Sequence, residues 1–142
     1  MAYATVQDCI DRKDQDLLLV LLDLTEPADL ASSAQLGEAL DDATQEIDGY
    51  LGARYTLPLP TAPKLLKRYA IDIALYQIAS EADKATDELR LRYTDAVKLL
   101  EKISKGTVTL GLPEPEPKTV GGVKFTGSPP RFKRGSMAGL RT

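Results

Sequence analysis

The 142-residue chain contains no histidine and no tryptophan, and only one cysteine, two phenylalanines and two methionines. The missing histidine excludes the most. It removes Ser–His and Cys–His nucleophile pairs, His-containing zinc sites and the ordinary imidazole proton shuttle. An enzyme built from this sequence would have to run on carboxylates, lysine or tyrosine alone. The expectation is therefore a non-enzyme, with no catalytic residue, metal ligand or cofactor. One cysteine cannot close an internal disulfide, which fits a reducing compartment. Cys9 lies in an apolar-periodic stretch with Val6 and Ile10 and reads as a small buried hydrophobe rather than a reactive thiol. No apolar run reaches membrane-spanning length. The longest, residues 17–22, is broken by Asp23, and the N-terminus lacks the basic start and cleavage pattern of a signal peptide. Synthesis in the cytoplasm, with no membrane partner, is expected.

What is present divides by charge. Residues 1–112 carry 12 Lys+Arg against 19 Asp+Glu, a net of −7, whereas residues 113–142 carry 6 against 2, a net of +4. The second stretch holds five prolines and five glycines and no helical period. By itself such a segment cannot bury enough apolar surface to offset its ordering entropy. An acidic domain over 1–112 followed by an extended basic Pro/Gly-rich arm over 113–142 is the build of a docking protein.

The body reads as all-α. Thr5-Val6-Gln7-Asp8 signals a short first helix, with a hydroxyl to cap the backbone and an acid facing the positive helix end. A leucine-rich second helix is expected over 15–24, stopped by Thr25-Glu26-Pro27. A long third helix should start at Ser32 or Ser33, with Leu36, Leu40, Ala43, Ile47, Tyr50, Leu51 and Arg54 forming one stripe. Gly49 and Gly52 near its end mark either a fraying terminus or the close approach of another helix. Residues 57–63, rich in proline, form a stiff turn, and Pro63 suits the first turn of a fourth helix that runs to about Ala82. Its expected inner face is Leu66, Tyr69, Ile73 and Tyr76. A fifth helix over 86–105 would bury Leu89, Tyr93, Ala96, Leu100 and Ile103 and stop at Gly106. Residues 107–112 alternate like a short strand. The expected fold is a small bundle of about five helices, with one short β segment and an extended C-terminal arm.

Three constellations carry the charge. Asp41, Asp42, Glu46 and Asp48 crowd one helix, and Asp41 and Asp42 point roughly 100° apart. That is a solvated face or a protein contact, because a metal or acid–base site needs carboxylates converging from different elements. Lys64, Lys67 and Arg68 open the fourth helix, against its dipole. Simple solvation explains them, and so does pairing with the acidic third-helix face of a neighbouring subunit, a head-to-tail contact that can close into a ring. In the arm, Arg131, Lys133 and Arg134 surround Phe132, with Met137 and Leu140 further on. That mixture suits phosphate backbones and bases, or an extended segment anchored on a partner protein.

Several segments together resemble one family. They are Thr5-Val6-Gln7-Asp8, the block from Glu46 to Leu59 with its core Gly49-Tyr50-Leu51-Gly52-Ala53-Arg54-Tyr55, the stretch from Leu65 to Ala74, Arg92-Tyr93-Thr94-Asp95-Ala96, and the closing Pro130-Arg131-Phe132-Lys133-Arg134-Gly135-Ser136-Met137. The chain is similar to the neck proteins of Mu-like phages and prophages, small helical head–tail connector (adaptor, or head-completion) subunits. It departs from their pattern at Cys9, at the Lys13-Asp14 turn and at Lys133-Arg134-Gly135.

The resemblance implies a ring subunit of the virion neck, usually present in twelve copies. Its partners would be the portal protein, neighbouring copies of itself and the next neck or tail protein. Packaged DNA would slide through its channel without sequence-specific binding. On this reading Arg131, Phe132, Lys133, Arg134, Met137 and Leu140 are the portal-binding arm. Asp41, Asp42 and Glu46 would meet Lys64, Lys67 and Arg68 between subunits. The rival from the residues alone is a DNA-binding accessory protein that uses its basic tail. A carboxylate-dependent metal enzyme stands well behind.

Overall fold

The computed structural model describes residues 2–113. The elements are α1 (Val6–Arg12), α2 (Gln15–Leu22), a 3-10 turn (Pro27–Leu30), α3 (Ala34–Leu51), α4 (Lys64–Glu81) and α5 (Asp87–Ser104). Local chemistry sets most boundaries. Thr5 and Asp8 form a reciprocal capping box at α1, and Asp14, Ser33 and Thr86 each accept a backbone N–H at the start of α2, α3 and α5. Each such cap is worth about 1 kcal/mol, because it satisfies a donor that has no partner inside the helix. The second helix stops at Leu22, two residues before the expected end. There Asp23 turns into the left-handed region at φ 54° and Leu24 N–H bonds back to the Leu19 carbonyl at 3.0 Å.

α4 is the central element. Leu66, Ala70, Ile71, Ile73, Ala74, Leu75, Ile78 and Ala79 are all buried, so burial runs most of the way round the helix rather than along one stripe. α3 and α5 make the most extensive packing against it, and α2 also touches it. α3 contributes Leu36, Leu40, Ala43, Ile47 and Leu51 to the core, and α5 contributes Leu89, Ala96, Leu100 and Ile103. Full burial of one such leucine or isoleucine contributes about 1.5–3 kcal/mol. Tyr69, Tyr76 and Tyr93, expected on inner faces, are half-buried at the margin. Cys9 is fully buried among these apolar side chains, and burial pushes its thiol up to about 11, as a packed hydrophobe requires.

Two expectations resolve in detail. Gly49 has open space where a Cβ would go, and Gly52 caps α3 through its N–H to the Asp48 carbonyl, so the glycines mark a helix end, and among the described residues no second helix backbone approaches. The short strand is not formed: residues 107–112 are turn and irregular backbone, and no strand occurs among the described residues. Their alternation is real, since Val108, Leu110 and Leu112 are half-buried against the core. With no neighbouring strand among the described residues to supply ladder bonds, the same pattern makes a strap. Gly106 and Gly111, at φ 80° and 71°, bend it.

Candidate docking surfaces

The strap is fastened by the block that carries the family resemblance. Tyr55 is buried just past α3, and its hydroxyl accepts the Leu110 N–H at 3.0 Å. Arg54 lays its guanidinium over Gly106, where a Cβ would run into it. Glycine is therefore required there twice, for the left-handed turn and for the close approach. Leu112 and Pro113 then line a groove of about 320 Å³ with Tyr55, Pro58, Leu59 and Pro60. The end of α3, the proline turn and the exit from α5 thus hold the chain in place up to residue 113.

The cations at the start of α4 find partners in their own chain. Lys67 donates to Asp8 at 2.9 Å, tying α4 to the first turn of α1. Arg68 lies 4.0 Å from Asp72, which in turn accepts from Lys13 at 2.8 Å. Lys64 is exposed and has no ion pair among the described residues. Asp8 is held down to about 2, first by the Thr5 backbone N–H and then by Lys67 and the Thr5 hydroxyl.

The acidic face of α3 divides. Asp41 and Asp42 are exposed. Glu46 is engaged internally, accepting from the Tyr93 hydroxyl at 2.9 Å and from Gln77 at 3.2 Å. Tyr93 stacks on Tyr76 with ring centres 4.4 Å apart. Burial, then the bond to Glu46, pushes its hydroxyl up to about 12. Asp48 accepts from Tyr3, whose hydroxyl is also raised by burial and then by that bond. The structure therefore brings neither Asp41 nor Asp42 to Lys67 or Arg68 within one subunit. Among the described residues no carboxylate or cysteine cluster could hold a metal ion, and no helix is long and apolar enough to cross a membrane.

A cationic cleft went unanticipated. Arg12, Lys13, Arg68 and Arg92 line a depression of about 520 Å³ with Asp14 and Asp72. The one available signal was Asp72 itself, a charge inside the apolar run 70–75. Nothing local in sequence connects Arg12 to Arg92. The arm residues Arg131, Phe132, Lys133, Arg134, Met137 and Leu140 lie outside the described residues.

Comparison with known sequences adds an independent finding. Residues 3–126 match the family described as "Bacteriophage Mu, Gp36". The chain is 42% identical over 110 residues to the "Mu-like prophage FluMu protein gp36" of Haemophilus influenzae, covering 78% of this chain and 76% of that one. It is 32% identical over 139 residues to "Gene product J" of Escherichia phage Mu, covering 94% and 96%.

Proposed function

Because the chain belongs to the Bacteriophage Mu Gp36 family, we propose that it is a structural virion protein of the phage neck, a head–tail connector subunit. Copies form a ring on the portal, extend the DNA channel and join the filled head to the tail. The observation that carries this reading is the use made of the Gly49–Tyr55 block. Tyr55 and Arg54 pin the α5 exit to the helical core, so the segment from which the basic arm continues is held in place. A rigid body with an arm of fixed origin suits a subunit that must dock in register on a preformed rim. In the arm, Arg131, Lys133 and Arg134 steer toward acidic portal surface, and Phe132, Met137 and Leu140 fill pockets there. Held together in one ring, many modest contacts act at high effective concentration and give a durable joint.

The test is removal of residues 114–142. The described residues already form a continuous apolar core from Tyr3 to Ile103, so circular dichroism should still report a folded helical protein. That protein should fail to join filled heads to tails. Restored infectivity with the truncated chain would refute the arm's role.

A further inference from the structure

Two depressions of opposite charge flank α4. In the cationic cleft, Lys13 and Arg68 lean toward the buried Asp72, and Arg92 pairs with Glu88 one turn back on its own helix. Arg12 makes no ion pair among the described residues. Four cations against two lining carboxylates leave a local positive surplus on a body whose net charge is −7. The second depression lies between α3 and α4 and is lined by Glu38, Asp42 and Glu81 with Gln35 and Gln77, and by no cation. Glu38, Asp42 and Glu81 are all exposed.

Their placement matters as much as their sign. Gln77 follows Arg68 by nine residues, which on a helix is about 180° of rotation and about 14 Å of rise. The two patches therefore face away from each other. Complementary patches on opposite sides cannot satisfy each other within one chain or across a two-fold pair. Between copies of this chain, each can meet its complement only in a head-to-tail contact that repeats. Arginine is the cation suited to it, because its planar fork takes carboxylates bidentately.

We propose that the Arg12/Lys13/Arg68/Arg92 cleft receives the Glu38/Asp42/Glu81 edge of a neighbouring copy of this chain. The choice of partner rests on the ring-subunit reading above. The contact uses Asp42 and Arg68 from the sequence-based pairing and replaces Lys64 and Lys67 with Arg12 and Arg92.

The test uses two full-length variants that spare the buried Lys13–Asp72 pair. Arg12→Glu with Arg92→Glu reverses the cleft, and Glu38→Lys with Asp42→Lys reverses the edge. Sedimentation velocity up to millimolar protein should show each variant self-associating at least about tenfold more weakly than wild type. An equimolar mixture should recover association, because the reversed cleft of one then meets the reversed edge of the other. A wild-type chain that stays monomeric, a variant that associates normally, or a mixture without recovery overturns the proposal. So does a cleft variant that self-associates normally but no longer joins heads, since its cleft then serves another acidic partner. Charge-swap behaviour as expected in a protein absent from virion necks would defeat the neck reading and leave this contact standing.

Discussion

Among the described residues Asp72 is the charged side chain the fold places deepest, 5% exposed within the apolar run of α4. An ionised carboxylate there is tolerable only if paired, since desolvation costs several kcal/mol. Lys13, itself 13% exposed, reaches it from the α1–α2 turn at 2.8 Å, whereas Arg68 stands at 4.0 Å and is mostly in water. Lys13→Met should therefore lower stability by about 3 kcal/mol, the cost typical of stranding one member of a buried pair. Lys13→Met with Asp72→Leu should recover most of that loss. Urea unfolding of the three variants measures both numbers, and a neutral Lys13→Met would mean that Arg68 alone suffices. Half of this pair was legible in the sequence. A lone carboxylate between Ile71 and Ile73 demands a partner, but a lysine 59 residues earlier has no sequence mark identifying it.

At the scale of elements, what was legible is what is decided within four residues. The caps at Thr5, Ser33 and Thr86 and the turn at Gly106 depend on neighbours in the chain, and they fall where local chemistry puts them. The 3-10 turn over Pro27–Leu30 and the strap after α5 depend on what the rest of the fold packs against them. Lys67 seemed to oppose the α4 dipole for no gain until α1 brought Asp8 to it. Asp8 consequently does two things, closing the α1 capping box and joining α1 to α4, and this gives it a pH signature. Its folded value, about 2, lies below the ordinary 3.8, so folding favours the ionised form. The stability it contributes is fully present above pH 3.8 and is lost as pH falls through about 2. The gap in melting temperature between wild type and Asp8→Asn should be full at neutral pH and close toward pH 2. Thermal melts across that window check this, and a gap that does not change with pH would assign the effect to packing instead.

At the scale of the whole molecule, the fold class was legible because a 3.6-residue period survives in α3 and α5 and α4 is a long, mostly apolar run between clear helix ends, whereas the surfaces were not. The cationic cleft is assembled from positions 12, 13, 68 and 92, which only the tertiary fold brings together. The separation of charge, by contrast, is plain in the sequence, and it bears on DNA. A body of net −7 repels a phosphate backbone, and a tail of net +4 attracts it. On the proposed neck role DNA slides through the ring, so the subunit should not grip the duplex. The full chain titrated with duplex DNA near physiological salt should show no salt-sensitive binding. If the tail instead grips phosphates with all 6 of its cations, counterion release would make log K fall against log salt with a slope near about −5. A slope approaching that value, roughly halved by Arg131→Ala, Lys133→Ala and Arg134→Ala together, would place the basic arm on DNA rather than on the portal. A flat titration leaves those three cations to an acidic protein partner.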